Sequence, residues 1–359
     1  MQFTALPHPA PVPGDTRKHA IADPGFGTVF TDHMVQIDYA ADKGWHSPKI
    51  GPREPLTLDP ACAVLHYAQE IFEGMKAYRH DDGAMALFRP YENARRFNRS
   101  AARMAMPNLP EDLFVEAVRQ LVMKDREWFP SVEGGALYLR PFMFASEAFL
   151  GVRPAREYKF LVIASPVGNY FKSGVPAVNI WVARNHVRAA QGGTGAAKTG
   201  GNYAASLVPQ AQAIEQGCDQ VVFLDAAESR WIEELGGMNL FFVMNDGTVV
   251  TPPLNGTILP GITRDSLIAL LRAEGRDVRE EPYAIDQWRD DARSGRLVET
   301  LACGTAAVVT PVGSVTDGDG SFTIGSGGPG QIATSMRAKL VGIQNGTQGD
   351  PQGWMMKLD

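Results

Sequence analysis

The sequence predicts a mixed α/β protein of two domains. The chain has 359 residues, and globular chains form one domain for roughly every 100–200 residues. Runs typical of strands alternate with amphipathic helical segments along both halves of the chain. Between the halves, residues 168–176 combine glycine, proline and polar residues and separate two strand-like runs. We therefore expect an N-terminal domain over residues 1–167, an interdomain loop over 168–176 and a C-terminal domain over 177–359.

In the first half, each expected element has a hydrophobic period and a start or stop signal. Asp59 and Pro60 suit the cap and the first position of a helix over ACAVLHYAQEIFEG. A helix with several arginines stops before Pro107, because proline cannot continue a helix. The expected elements are the helix after Pro60, a strand over 84–89, the arginine-rich helix, a helix over 111–129, and strands beginning at Ala136 and Tyr158.

The second half continues the alternation of strands and helices. The expected strands cover 177–185, 220–226, a pair around Trp231, and 239–245; the expected helices cover 204–216, 263–273 and 285–294. Residues 317–330 are rich in Gly, Ser and Asp and are expected to form a hairpin and a surface loop.

The composition narrows the class of function. Lys and Arg number 34 against 40 Asp and Glu, a net charge of −6, whereas nucleic-acid binders usually show a basic balance. Three widely spaced cysteines form no CxxC pair and fit buried thiols in a reducing compartment. The N-terminus lacks the apolar run of a signal peptide, and the most apolar stretch, 301–315, is too short to cross a bilayer. We expect a soluble cytoplasmic protein that binds neither nucleic acid nor membranes.

Glycine clusters around one lysine. The run QGGTGAAKTGGNY surrounds Lys198 with glycines, which permit tight turns and the close approach of another group to the backbone. A lone lysine in such a loop is otherwise a solvated surface charge. One functional alternative is a phosphate-binding P-loop that binds a nucleotide. That motif requires glycine directly before the lysine, and this chain has Ala197 there.

A second alternative is a lysine that forms a Schiff base with pyridoxal phosphate. This cofactor needs an amine, an anion at its pyridine nitrogen and a cradle for its phosphate. Glu233 and Glu234 are candidate anions, and strand alternation predicts that one points inward while the other meets solvent. The run LPGITRDSL places Ile262 and Thr263 at a helix start, with Thr263 as a plausible cap, where backbone N–H groups favour a phosphate. The small-residue turn of ACGTAAVV, over 302–309, offers further N–H groups.

Two groups of arginines could bind anions. Arg96, Arg99 and Arg103 share one helix face, which is usually a solvated face, although one of them could reach a phosphate. Arg140 interrupts an apolar strand, so it is either paired or directed at a carboxylate ligand. The seven histidines show no metal-ligand spacing, and no metal is expected.

These segments together resemble a known family. Three segments resemble the class IV aminotransferase signature with its spacings intact: the run from Glu234 through GGMNLF, the VVT at 249–251 and the LPGITR at 259–264. The wider sequence resembles the branched-chain amino acid aminotransferases, and this resemblance extends from about Gly25 to the C-terminus. The segments that carry it are LHYAQEIFEGMKAYR, LYLRP, GGTGAAKTGGNY and ACGTAAVVTPV. The resemblance implies the D-amino-acid aminotransferase-like fold of type IV pyridoxal phosphate enzymes, with two α/β domains and the cofactor between them.

The resemblance also implies the residues that hold pyridoxal 5′-phosphate. Lys198 matches the Schiff-base lysine, and Glu234 rather than Glu233 matches the carboxylate at the pyridine nitrogen. The other implied cofactor ligands are Tyr203 at the phenolic oxygen, Leu259 beside the ring, and Arg96, Ile262, Thr263 and Thr305 around the phosphate.

By the same resemblance, one pocket takes both an aliphatic side chain and the carboxylate of glutamate. Its implied lining is Phe72, Tyr138 and Arg140, with Tyr67, Leu150 and Val152 entering from the neighbouring subunit of a homodimer. The turn at Thr305 and Ala306 is implied to bind the α-carboxylate, and Tyr170 to close over the site.

The implied reaction transfers the amino group of L-leucine, L-isoleucine or L-valine to 2-oxoglutarate by ping-pong steps through Lys198. The products are branched-chain 2-oxo acids and L-glutamate. A D-amino-acid aminotransferase or an aminodeoxychorismate lyase remains the alternative within class IV. Where the family often has threonine, this chain has Gly237, so a hydroxyl contact is missing there.

Overall fold

The structure is a computed structural model that describes residues 1–132, 134–168 and 177–358. It divides into two compact units, the first of Met1–Tyr170, Ala197–Gly200 and Gly342–Asp359, and the second of Phe171–Ala196 and Gly201–Val341. Lys198 thus groups with the first unit, although the sequence placed it in the C-terminal domain. The expected loop over 168–176 lies, except for its first residue, outside the described residues and stays a prediction.

The helices and strands follow one another in short alternations. Up to residue 168 they are β1 (Thr4–Ala5), α1 (Gly14–Ala22), β2 (His33–Ala40), β3 (Gly44–Pro52), α2 (Ala63–Tyr67), β4 (Glu70–Phe72), β5 (Met75–Arg79), β6 (Met85–Phe88), α3 (Pro90–Arg103), α4 (Glu111–Lys124), a 3-10 turn (Arg126–Trp128), β7 (Ala136–Ala145) and β8 (Glu157–Val167). From residue 177 they are β9 (Val178–Ala183), α5 (Gly200–Ala204), α6 (Leu207–Glu215), β10 (Gln220–Leu224), β11 (Ile232–Leu235), β12 (Asn239–Met244), β13 (Val249–Thr251), α7 (Ile262–Ala273), β14 (Val278–Glu280), α8 (Ile285–Ser294), β15 (Leu297–Gly304), β16 (Val308–Asp317), β17 (Gly320–Thr323), α9 (Gln331–Gln344) and β18 (Met355–Leu358).

The first unit is built on a mixed sheet. Within the described residues, nine strands pair in the order β1-β3-β2-β8-β7-β5-β6-β18, with β4 also paired to β7. The β1–β3 pair is parallel and the others are antiparallel. Helices α3 and α4 bury an apolar stripe against this sheet, where Phe97, Phe114 and Phe160 contact one another at 5.4–5.8 Å between ring centroids. Because α3 is fixed in this way, its side chains near Lys198 are fixed too.

The second unit has its own mixed sheet and its own core. In the described part of this unit, nine strands pair in the order β11-β10-β9-β16-β15-β12-β13-β14, with β17 on β16. Parallel pairs join β9 to β10, β9 to β16, and β13 to β14. The core centres on Trp288, whose ring contacts Phe242 and Phe322 at 5.2 and 5.7 Å. β11, which carries the two candidate glutamates, is an edge strand of this sheet.

Most expected elements are confirmed, and two helices are corrected. The helix expected after Pro60 is only α2, because Ala68 adopts a left-handed φ of 48° and residues 70–72 instead pair with β7. The helix expected over 204–216 is α6, which begins only at Leu207, and Gly200–Ala204 form the separate short helix α5. The remaining expected strands and helices lie within a few residues of their predicted positions.

The helices of the protein are short compared with the roughly 20 residues that span a bilayer. In the ranges that the structure describes, none is long and apolar enough to cross a membrane.

Candidate active site

The backbone of Lys198 is fixed on both sides within the first unit. Its N–H donates to the Ser100 hydroxyl at 2.9 Å, and its carbonyl accepts the N–H of Phe72 at 2.9 Å. The Lys198 Nζ lies 4.8 Å from the centroid of the Phe72 ring, a cation–π contact. The lysine of the glycine loop is therefore held by its backbone beside an aromatic ring.

The Glu70 carboxylate approaches the backbone closely just after this lysine. The Gly200 N–H and the Thr199 hydroxyl both donate to Glu70, and a Cβ on Gly200 would lie 2.5 Å from that carboxylate oxygen. Burial raises the pKa of Glu70. The P-loop alternative does not fit this geometry, because a P-loop runs into a helix at its lysine. Here the next helix, α5, begins at Gly200 and has five residues.

Arg96 lies in a buried ion pair. Its Nε and Nη2 donate to the two carboxylate oxygens of Glu73 at 2.8 and 2.7 Å, and the side chains are 4% and 0% exposed. Arg99 and Arg103 are exposed, so the three arginines do not share one environment. The bidentate pair uses two of the five guanidinium donors, and phosphate binding by Arg96 stays a prediction.

Arg140 lies over two aromatic rings. Its Cζ is 4.7 Å from the centroid of Phe72 and 5.6 Å from that of Tyr138, whose hydroxyl accepts from Nη2 at 3.3 Å. The buried Nε of Arg140 has no hydrogen-bond partner among the described residues. Gly74 allows this arrangement, because a Cβ there would lie 2.2 Å from the Tyr138 hydroxyl. Phe72, Tyr138 and Arg140, predicted as pocket residues, are thus brought together.

In the second unit, Glu234 is the buried partner of an arginine that sequence reasoning missed. Arg188 Nη2 donates to Glu234 Oε1 at 3.2 Å, and both side chains are 3% exposed. The same Nη2 donates to the carbonyls of Gly195 and Thr257, and the Leu259 N–H donates to Glu234 Oε1. A carboxylate held by a guanidinium and a backbone N–H is favoured in its charged form. Such an anion is what a protonated ring nitrogen requires.

The expectation that one of the two neighbouring glutamates meets solvent is wrong. Glu233 is 3% exposed and Glu234 is 2% exposed. The reason is that residues 255–259 cover this edge strand: the Thr257 hydroxyl contacts Glu233 and the Leu259 N–H contacts Glu234. Alternation along β11 still separates the two side chains, but both sides are covered.

The predicted phosphate cradle is a helix N-terminus. α7 begins at Ile262, and its cap position is Gly261 with extended backbone. Thr263 lies in the first turn and is not the cap, which corrects the prediction. Asn239 Nδ2 donates to the Leu259 carbonyl at 3.1 Å, and a Cβ on Gly261 would lie 2.0 Å from Asn239 Oδ1. Asn239 therefore fixes the chain just before the helix, whose first N–H groups suit an anion.

Tyr203 and the turn after β15 complete the predicted ligands of the second unit. A Cβ on Gly237 would lie 3.4 Å from Tyr203 Cε1, so Gly237 packs directly beside this ring. Thr305 and Ala306 form the turn between β15 and β16 and are half-buried. Arg337 donates to the Ala307 carbonyl and, at 3.1 Å, to that of Val309, which fixes one side of the turn.

The residues predicted to serve a neighbouring subunit cluster at the surface of the first unit. The Tyr67 hydroxyl donates to the Leu150 carbonyl, and the Tyr67 ring stacks on Phe149. Leu150 is 66% exposed and Val152 is 90% exposed. Tyr170, predicted to close over the site, lies outside the described residues.

Several supporting residues were assigned no role by sequence reasoning, although Asn239 and Glu73 lie within segments that carry the family resemblance. Arg188, Glu73, Ser100 and Asn239 each act through contacts to residues 20–98 positions away. The motifs place Asn239 and Glu73 in the family segments but do not show their partners, and Arg188 lies just before the glycine loop. In the described residues, no group of three or more His, Cys, Asp and Glu side chains could hold a metal ion.

Known proteins are similar to this chain over its whole length. The family model described as "Amino-transferase class IV" matches residues 70–315. The "Branched-chain-amino-acid aminotransferase" of Mycolicibacterium smegmatis is 53% identical, over 100% of this chain and 99% of that protein. "Branched-chain-amino-acid aminotransferase 2" of Bacillus subtilis is 47% identical, over 100% of this chain and 96% of that protein.

Solved structures extend the similarity to the fold. The branched-chain amino acid aminotransferase of Escherichia coli superposes with a TM-score of 0.75 at 27% identity, covering 90% of this chain and 100% of that chain. The T.th. branched-chain amino acid aminotransferase in complex with N-(5′-phosphopyridoxyl)-L-glutamate superposes with a TM-score of 0.73 at 26% identity, covering 90% and 98%. The predicted mixed α/β fold of type IV is confirmed.

Proposed function

The chain belongs to the branched-chain-amino-acid aminotransferases of class IV, and from this we propose that it transfers amino groups from L-leucine, L-isoleucine and L-valine to 2-oxoglutarate. The products would be the branched-chain 2-oxo acids and L-glutamate. The observation that carries the substrate assignment is the Phe72 ring, which contacts Lys198 Nζ at 4.8 Å and Arg140 Cζ at 4.7 Å. An amine, an apolar wall and a cation thus lie together in one unit.

The cofactor we propose is pyridoxal 5′-phosphate, and the donor set fits it. A buried carboxylate held by a guanidinium, Glu234 with Arg188, is the group that a pyridinium nitrogen needs. The α7 N-terminus suits its phosphate. The T.th. relative was also solved with pyridoxamine 5′-phosphate. The residues that would hold the cofactor are Lys198, Arg96, Tyr203, Glu234, Leu259, Ile262, Thr263 and Thr305.

When bound, this cofactor supplies an electron sink for the bond that breaks at the substrate Cα. Lys198 Nζ would accept the proton from Cα and return one to the cofactor side, as general base and then acid. Glu234 would keep the ring nitrogen protonated, since Arg188 and the Leu259 N–H hold the carboxylate in its charged form. Lys198 would thus move the proton, and Glu234 would hold one at the ring nitrogen.

One pocket must accept both a branched aliphatic side chain and a carboxylate. Phe72 and Tyr138 offer apolar surface to leucine, isoleucine and valine. Arg140 offers a guanidinium and the Tyr138 hydroxyl to the γ-carboxylate of glutamate. The Thr305–Ala306 turn would bind the α-carboxylate through its backbone N–H groups.

We also propose a homodimer in which Tyr67, Leu150 and Val152 contact the pocket of the neighbouring subunit. This proposal is supported by the exposure of Leu150 and Val152, whose side chains are 66% and 90% exposed in the single chain. Exposed apolar groups that cluster mark interaction surfaces. A cytoplasmic location is supported by the three cysteines, which are buried free thiols. Sedimentation of Val152→Asp against the unchanged chain tests the dimer, and a dimer of unchanged strength would contradict this surface.

The function is tested by absorbance and turnover of the purified enzyme. Adding L-leucine should change the visible absorbance of the bound cofactor, and 2-oxoglutarate should restore it, with parallel lines in double-reciprocal plots. Lys198→Ala should abolish turnover, while the control Lys18→Ala, at an exposed position, should not. Turnover of D-amino acids with pyruvate in place of the L-series would instead favour a D-amino-acid aminotransferase.

A further inference from the structure

Two neighbouring carboxyl groups are buried beside the guanidinium of Arg188. Glu233 and Glu234 are 3% and 2% exposed, and Arg188 is the cation that pairs with Glu234. Glu233 Oε2 is buried and has no hydrogen-bond partner among the described residues. A charged carboxylate with an oxygen in that position is strongly disfavoured. The burial of Glu233 and its unpaired oxygen therefore favour the neutral form of its carboxyl group.

The Thr257 hydroxyl has two oxygen partners and one proton, and only one arrangement of protons gives both contacts a hydrogen bond. Asn255 Oδ1 accepts the Thr257 backbone N–H at 3.1 Å and lies 2.7 Å from the Thr257 hydroxyl oxygen. The carbonyl oxygen of the Asn255 side chain cannot donate, so the single hydroxyl proton of Thr257 goes to it. The Thr257 hydroxyl oxygen also contacts Glu233 Oε1. With its own proton used, it can only accept there, and the donor must be Glu233.

Two of the influences on Glu233 favour its neutral form, namely burial and the Asp225 carboxylate, whereas the side chains of Thr257, Asn255 and Arg188 act in the opposite direction. Burial raises the pKa of Glu233 and outweighs its hydrogen bonds and the Arg188 charge, which act in the opposite direction. The Asp225 carboxylate raises the pKa of Glu233 further. Asp225 itself accepts four backbone N–H groups from residues 227–231, which hold its own pKa low against burial. Glu234, the next residue of the strand, is the third carboxyl of this region.

We propose that Glu233 is a neutral, protonated acid that donates through the Thr257 hydroxyl to Asn255 and so positions the cofactor carboxylate Glu234. The residues that this chain of bonds fixes, 255–259, supply the Thr257 carbonyl to Arg188 and the Leu259 N–H to Glu234. If Glu233 were ionised, it would compete with Glu234 for the same guanidinium. Glu233 is a positioning residue, since it acts on the reaction only through these neighbours.

The consequence for activity rests on the proposed function, whereas the protonation state does not. Infrared difference spectroscopy of the holoenzyme near neutral pH, wild type against Glu233→Gln, should show loss of one carbonyl stretch of a protonated carboxylic acid, which shifts in D2O. The matched control is Glu215→Gln, an exposed glutamate of α6, which should remove a carboxylate band instead. Loss of a carboxylate band in Glu233→Gln, with no acid band lost, would overturn the proposal.

The kinetic test uses the pH profile. Glutamine keeps the donor to Thr257 at every pH, so Glu233→Gln should hold kcat within about threefold of wild type at neutral pH. The variant should also lack the decline in kcat that ionisation of Glu233 causes in the wild type as pH rises. An unchanged alkaline limb, or a large loss at neutral pH, would overturn the positioning role. If Glu233→Gln does not fold, the wild type alone provides the test. Its acid band should be present at neutral pH and disappear on alkaline titration. A wild-type spectrum without an acid band at neutral pH would contradict the proposal. If the wild-type protein shows the acid band but no transaminase activity, the proposed function is refuted and the protonation of Glu233 is still supported.

Discussion

Glu73 and Arg96 form a bidentate ion pair inside the first unit, with Nε–Oε1 and Nη2–Oε2 distances of 2.8 and 2.7 Å. The carboxylate is 0% exposed and also accepts from Asn93 Nδ2 at 2.8 Å and from the Gly74 N–H at 3.2 Å. Glu73 therefore fixes the plane of the guanidinium that we propose as a phosphate ligand, and it does so next to Gly74, which makes room for Tyr138.

Replacing Glu73 by glutamine should destabilise the protein by about 3 kcal/mol, because a buried guanidinium loses its carboxylate. The free energy of unfolding in urea measures this effect. Glu92→Gln is the matched control, since Glu92 pairs with Arg95 on an exposed face, where such pairs contribute about 0.5 kcal/mol. Equal effects of the two substitutions would contradict a special role of the buried pair.

Arg188→Gln should weaken cofactor binding as well as stability. The substitution leaves the Glu234 carboxylate buried without its guanidinium and removes the donor to the Gly195 and Thr257 carbonyls. We expect the dissociation constant of pyridoxal phosphate, followed by absorbance, to rise by roughly tenfold or more. Arg230→Gln, at an exposed arginine that stacks on Trp231, should leave this constant unchanged; an equal rise in both variants would refute the assignment.

Arg140→Gln should separate the two substrate classes. The KM for 2-oxoglutarate and L-glutamate should rise by roughly one to two orders of magnitude, because a charge-assisted hydrogen bond to the γ-carboxylate is lost. The KM for L-leucine should change much less, since Phe72 and Tyr138 remain. Arg156→Gln, at an exposed arginine, is the control. A parallel rise for leucine and glutamate would mean that Arg140 does not read the side-chain carboxylate.

The two adjacent glycines after Glu234 should respond differently to alanine. Gly236 has a φ of 54°, in the left-handed region, so Gly236→Ala should lower the free energy of unfolding by roughly 1 kcal/mol. Gly237 does not adopt that conformation, and its Cβ would meet Tyr203 Cε1 at 3.4 Å, an ordinary contact. Gly237→Ala should therefore keep or slightly raise stability. A larger loss for Gly237→Ala than for Gly236→Ala would contradict this backbone geometry.

Alkaline unfolding should depend on Tyr158. Its hydroxyl donates to the Ala155 carbonyl at 2.9 Å, and burial raises its pKa to about 12. Tyrosine in the unfolded chain ionises near pH 10, so stability is intact below that pH and is lost as pH rises toward 12. The loss amounts to about 2–3 kcal/mol. Tyr158→Phe should lack this part of the pH dependence in urea titrations, and identical slopes for both proteins would contradict it.

The local elements followed closely from sequence patterns. α3 and α4 have clear apolar periods and proline boundaries, and β7 and β8 are long runs of strand-forming residues. The helix after Pro60 was wrong because its pattern is compatible with both states. The left-handed turn at Ala68 and the pairing of residues 70–72 with β7 decide for a strand, and this pairing joins residues about 70 positions apart.

The sequence by itself determined most of the order of strands and helices, the family, and the candidate lysine that we propose as the reacting group, because periodicity, glycine spacing and motifs are local properties. Only the tertiary structure decided that Glu233 is as buried as Glu234, that Arg96 pairs with Glu73, that Arg188 holds Glu234 and that Lys198 belongs to the first unit. The physical reason is that charge state, burial and hydrogen-bond partners depend on which distant segments cover a side chain. Neither composition nor period records which segments these are.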